Sequence, residues 1–161
     1  MKKECTENEA RYKAEAYCVT AERCVSEVRN KLIQWGVPQE VMNNILKRLL
    51  EERFIDEGRY AKAYAREKHR FQHWGRMKIM QALKIKQISS DLVDEALADL
   101  DREDYMESLS LLLQKKVKEV KARTEYERRG KLIRFAIGRG YEMNDIIHCL
   151  KNVGYDDEYM E

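Results

Sequence analysis

Apolar residues recur along this chain at intervals of three and four, and the pattern they draw recurs as well. Val25, Val28, Leu32 and Trp35 stand at i, i+3, i+7 and i+10, the spacing of one face of an α-helix. Gly36 follows, suited to the left-handed residue that closes a helix. Pro38, the one proline, suits the first turn of the next helix, where its missing N–H costs nothing. Val41, Met42, Ile45, Leu46 and Leu49 then form a second stripe. The same two-helix pattern returns over residues 78–100 and 131–153, at offsets of 51 and 53 residues. Val28, Ile79 and Leu132 correspond, as do Leu32, Leu83 and Ala136; Val37, Ile88 and Tyr141; Met42, Val93 and Ile146; and Leu46, Leu97 and Leu150. Polar positions scarcely match, so the repeat is one of buried stripes.

A further helix precedes each pair. Ala10, Ala14, Tyr17, Cys18 and Ala21 mark the first, Tyr60, Ala61, Tyr64 and Ala65 the second, and Leu109, Leu112, Leu113, Lys116 and Val117 the third. Thr6 with Glu9, Asp104 with Glu107 and Thr124 with Glu127 are spaced as capping boxes, Asp56 opens another helix, and Ser89 or Ser90 offers a cap in the middle copy. The pattern predicts an all-α chain of three tandem three-helix repeats, over 1–53, 54–101 and 102–161. Units of about 50 residues bury too little apolar surface to stand alone, so stacking into an elongated curved array is expected.

Composition agrees: 37% of the 161 residues are charged and 43% hydrophobic, with 7 glycines and 1 proline. That is too apolar for a disordered tail and too poor in turn formers for a loop-rich β fold. No apolar run approaches the roughly 20 residues of a membrane span, and Leu109–Leu113 is broken by Ser110. The start, Met1-Lys2-Lys3-Glu4-Cys5, leads into Thr-Glu-Asn-Glu in place of an apolar export signal. Cys5, Cys18, Cys24 and Cys149 are scattered without a CxxC pair, which fits reduced thiols. The expectation is a cytoplasmic monomer with no membrane partner.

The net charge of +2 hides segregation. Between Arg59 and Lys86 the bases face one acid, Glu67; between Asp91 and Glu107 the acids face one base, Arg102; a second basic run covers Lys115 to Arg134. Catalytic signatures are missing: no GxxxxGK, GxGxxG or HExxH occurs. His69 and His73 have ligand spacing, but Trp74-Gly75 should end their helix, and no third ligand lies nearby, so no metal or other cofactor is expected. Cys149, beside His148, aligns with Ile45 and Ala96 and reads as core. Nothing points to an enzyme.

The most informative segment is Arg66 to Lys78, where five bases alternate with Phe71, Trp74 and two histidines across a helix junction. Bases neutralise phosphates and aromatic rings stack on unpaired nucleobases; equally, the rings could plug the corner while the bases solvate it.

Three short motifs carry a resemblance over about Ala10 to Val153. Phe54-Ile55-Asp56-Glu57 followed by Arg59-Tyr60-Ala61, then Trp74-Gly75-Arg76 with Lys78-Ile79, and finally Arg139-Gly140-Tyr141 resemble, in this order, the signatures of the RecX family of bacterial recombination regulators. Glu57, Ala136 and Tyr141 depart from the family pattern conservatively. The resemblance implies tandem three-helix repeats, binding to the RecA recombinase in its filament on single-stranded DNA, and modulation, mainly inhibition, of ATP hydrolysis, strand exchange and coprotease activity. The charge pattern, independently, nominates Arg66, Lys68, Arg70, Arg76, Lys78, Lys84, Lys86, Arg134 and Arg139 as contact residues. The competing readings are a nucleic-acid-binding module without a recombinase partner and a scaffold for another acidic protein.

Overall fold

A computed structural model describes residues 6–151; Cys5 and the end of the third copy at Val153 lie outside them. Among these residues the chain forms nine helices and no strand: α1 (Glu7–Thr20), α2 (Val25–Gln34), α3 (Gln39–Glu51), α4 (Glu57–Gln72), α5 (Arg76–Ile85), α6 (Ser90–Ala98), α7 (Arg102–Val117), α8 (Glu125–Gly138) and α9 (Met143–Leu150). The order is three helices repeated three times, as the apolar pattern predicts.

The repeats share one corner. After α2, Val37 N–H donates to the Leu32 carbonyl (3.0 Å) and Gly36 N–H to Ile33 (3.0 Å). After α5 the same pair runs from Ile88 to Leu83 (3.1 Å) and from Gln87 to Lys84 (2.9 Å); after α8 it runs from Tyr141 to Ala136 (3.1 Å) and from Gly140 to Ile137 (2.9 Å). This is the Schellman closure, with its apolar contact between the residues that flank the turn, and all six flanking residues are buried. Its left-handed position is held by Gly36 (φ 76°), Gln87 (φ 65°) and Gly140 (φ 98°). The middle copy thus makes the turn without a glycine, which is why the sequence betrays only the outer two.

Of the fifteen positions matched between copies, all but Leu97 are buried. Caps follow the sequence with two shifts. Thr6 forms its box with Glu9, Asp56 Oδ1 accepts from Arg59 N–H (2.9 Å), and Thr124 Oγ1 accepts from Glu127 N–H (3.1 Å). The cap of α7 is Asp101, whose carboxylate accepts from Asp104 N–H (2.9 Å), so Asp104 supplies the capped N–H and is not itself the cap. Pro38 sits one position ahead of α3, with its carbonyl accepting from Met42 N–H (2.8 Å).

The chain divides into two compact units. The first takes in residues as far as Ala63 together with Leu83–Ala96. There α1, α2 and α3 pack on one another around Ala10, Ala14, Val28, Leu32, Ile45 and Leu49, and Ser26 Oγ donates to the Lys86 carbonyl (2.8 Å). The second comprises Tyr64–Ala82 and the chain from Leu97 onward. In it α7, α8 and α9 pack mutually around Leu109, Leu113, Leu132 and Ile146. Asp145, buried in the first turn of α9, is held by Arg102 at 2.5 and 3.3 Å.

The shared corner sets a stability test. A Cβ on Gly36 would meet nothing within 4 Å, so Gly36→Ala should cost only the left-handed backbone, about 1 kcal/mol. Gln87→Gly should relieve the same strain and gain a fraction of that, after the greater freedom of glycine in the unfolded chain is offset. Urea-unfolding midpoints that moved in opposite senses would bear this out.

Candidate functional site

Two of the short motifs meet in the second unit, backbone against backbone. Helix α4 ends at Gln72, His73 turns left-handed (φ 56°), and Trp74-Gly75 leads into α5. Gly75 N–H donates to the Arg139 carbonyl (2.7 Å), and Met77 N–H donates to the Gly140 carbonyl (2.9 Å). Between them, Arg76 N–H donates to the Tyr105 hydroxyl (3.0 Å). Three successive N–H groups at the start of α5, which have no partner within the helix, are thus satisfied by the third repeat. From the other side, Arg139 Nη1 donates to the Gln72 carbonyl (3.0 Å).

The approach leaves no room for side chains. A Cβ on Gly75 would lie 2.4 Å from the Gly140 carbonyl carbon, and one on Gly140 would lie 2.4 Å from Lys78 Cβ. Beneath the junction lies an aromatic cluster. His69, buried, stacks on Tyr105 at 5.0 Å between ring centres, and Tyr105 meets Tyr141 at 5.2 Å. His69 Nδ1 stands 3.0 Å from the Trp74 carbonyl, which can only accept, so that nitrogen carries a hydrogen. Burial pushes the Tyr105 and Tyr141 hydroxyls up to about 12, so both remain neutral donors and acceptors at physiological pH. His69 is therefore part of the scaffold, and among the described residues no three His, Cys, Asp or Glu side chains gather as a metal site.

Cations crowd the surface of this junction. Lys68 Nζ lies 5.1 Å and Lys78 Nζ 4.7 Å from the centre of the Trp74 ring. The Arg76 guanidinium lies 4.9 Å from the Tyr105 ring centre, and that of Arg139 lies 5.5 Å from Phe135. Among the described residues, none of these four is paired with a carboxylate; rings and carbonyls hold them, so their charge stays uncompensated. Phe71, one turn along α4 from Lys68, leaves 72% of its surface exposed. It does not plug the corner; Trp74, half-buried between two ammonium groups, comes closer to doing so.

The other nominated residues have different settings. Arg66 reaches Asp99 at 2.6 Å, and Lys86 reaches Glu27 at 3.5 Å, so both are neutralised locally. Lys84 is exposed in the first unit, Arg70 is exposed on α4, and Arg134 is exposed on α8 beside Gly130. Tyr105 was not legible as a site residue, although it stands four residues before Leu109 on the stripe of α7. Burial raises all three described thiols, to about 11 for Cys18, which is opposite to what a reactive cysteine needs.

Residues 56–97 match the family model for the second three-helix domain of RecX, and residues 103–150 match that for the third. The chain is 31% identical over 133 residues to a protein of Clostridium tetani named Regulatory protein RecX, covering 81% of this chain and 61% of that one. It is 30% identical over 132 residues to the protein of the same name in Vibrio parahaemolyticus, covering 82% and 81%. It spans about 60% of the length of the clostridial relatives it matches. The crystal structure of RecX from Lactobacillus salivarius superposes with a TM-score of 0.83 at 18% identity, over 91% of this chain and 96% of that one, which shows a shared fold.

The tight approach of the two turns predicts a graded response to alanine. Gly75→Ala and Gly140→Ala should each cost about 1–3 kcal/mol, as overpacking does. Gly138→Ala, with open space around its Cβ at the end of α8, should be neutral or stabilising. Urea titrations that ranked all three alike would contradict the backbone pairing.

Proposed function

The chain belongs to the RecX family, and from that premise we propose that it regulates the RecA recombinase, binding the filament formed on single-stranded DNA and mainly lowering its ATP hydrolysis, strand exchange and coprotease activity. The observation that carries this reading is the cluster of Lys68, Arg76, Lys78 and Arg139, whose charges are held on rings and carbonyls without carboxylate partners among the described residues. A nucleoprotein filament presents phosphates, and a rigid group of uncompensated cations is suited to meet them. Arg70 and the exposed Phe71 extend the same surface along the last turn of α4. Arg66, Lys84, Lys86 and Arg134 serve as outlying contacts in this proposal, with the repeats 1–53, 54–101 and 102–161 as its working units.

Direct binding to DNA without a recombinase is the second reading, favoured by Phe71 alone, since an exposed ring beside cations can stack on an unpaired base. One titration separates the two. The protein is added to preformed recombinase filaments on single-stranded DNA, DNA-dependent ATP hydrolysis is followed, and naked-DNA binding is measured at the same salt. Loss of hydrolysis at well below one protein per recombinase, with weak naked-DNA binding, supports filament regulation. Unchanged hydrolysis with tight naked-DNA binding leaves the module reading.

The cluster makes a sharper prediction. Arg76→Glu with Lys78→Glu should weaken filament binding and flatten its dependence on log salt concentration by roughly one per lost phosphate contact. Lys78→Glu alone should do half as much without disturbing the packing of Arg76 on Tyr105. Binding and salt slope unchanged in both variants would remove the cluster from the contact surface.

A further inference from the structure

A groove of about 350 Å³ opens between the end of α4, helix α7 and helix α8, within the second unit. Its floor is apolar: Leu111, Leu112 and Phe135 line it, and Leu111 leaves 58% of its surface exposed there. Its rim is cationic, formed by Lys115, Lys116 and Arg139 beside His73 and Ser108, with a single acid among the described residues, Glu119, 3.7 Å from Lys116. Leu111, Leu112 and Phe135 together make an apolar patch edged by bases, the kind of surface that marks an interaction site.

The geometry points to a docking site for an acidic protein segment that carries apolar anchors, with leucine-like side chains entering the floor and carboxylates meeting the rim. Charge complementarity fixes the sign of the occupant: three bases against one acid select a negative partner. The floor selects its class. Nucleic acid offers flat bases that need an open ring face, but Phe135 already holds Lys116 Nζ at 4.7 Å and the Arg139 guanidinium at 5.5 Å. The rest of the apolar lining, Leu111 and Leu112, is aliphatic, which suits the side chains of an amphipathic helix laid in a groove. This surface is distinct in chemistry from the Trp74 cluster, although Arg139 borders both.

Fluorescence anisotropy tests it without any recombinase, so its outcome is independent of the filament reading. The probe is a labelled 16-residue peptide with leucines at i, i+3, i+4 and i+7 and glutamates at the remaining positions. Its control is a peptide of the same composition with the leucines scattered around the helix. The patterned peptide should bind, the scattered one should bind more weakly, and an oligo(dT) strand should not displace it. Leu111→Asp, on a residue exposed enough to leave folding intact, should weaken binding about tenfold, the loss of one apolar anchor. Lys115→Glu should weaken it as well, and Lys47→Glu on α3 should not. Absence of binding, equal binding of the two peptides, or indifference to Leu111→Asp would overturn the proposal. Displacement by oligo(dT) would likewise assign the groove to nucleic acid.

Discussion

The candidate site in the second unit is built on one contact, the seating of the Trp74-Gly75-Arg76 turn against the Arg139-Gly140-Tyr141 turn. Neither turn could approach the other with a Cβ present, because the nearest atoms would then lie at 2.4 Å. The contact replaces water at the start of α5 with two carbonyls and a tyrosine hydroxyl. It also brings Arg139, at the end of α8, to the last turn of α4, where it bonds the Gln72 carbonyl. The cations flanking the two turns are therefore assembled by backbone geometry, with the aromatic cluster of His69, Tyr105 and Tyr141 as the floor beneath.

Electrostatics explains why the net charge misleads. Acids and bases nearly balance across the chain, yet the balance is not local. Arg66 and Lys86 are matched by Asp99 and Glu27, whereas the bases around Trp74 are matched by rings. A cation over a ring is stabilised by the ring's quadrupole and keeps its charge for a partner, while a cation on a carboxylate spends it. The distinction turns a long basic run into a smaller group of residues suited to contact phosphate.

Much of the fold was legible because burial recurs at fixed spacing. Fourteen of the fifteen matched apolar positions are buried, and the exception, Leu97, is half-buried near the end of α6. What escaped the pattern was chemistry without periodicity. Gln87 takes the left-handed position of the middle corner although its residue type gives no hint of it. Asp101, Glu103 and Asp104 crowd the start of α7, and the spacing of Asp104 from Glu107 made it look like the cap when Asp101 performs that task. The bases of the candidate site, with Phe71 and Trp74, could be named one by one, whereas Tyr105 and Phe135 could not. Their grouping could not, because the pairing of Gly75 with Gly140 joins distant segments and leaves no trace in the spacing of either.

The proposed contact is between the surface over the paired turns and the recombinase filament. Its most direct measurement is photo-crosslinking from a benzophenone amino acid at position 71, an exposed site that does not enter the core. Mixed with filaments on single-stranded DNA and irradiated, this protein should form a covalent product with filament protein or strand, and the product should fall as salt rises. A control at Tyr12, exposed on α1 in the first unit, should yield little. Efficient crosslinking from position 12 with none from position 71 would contradict the assignment and move the contact to the first unit.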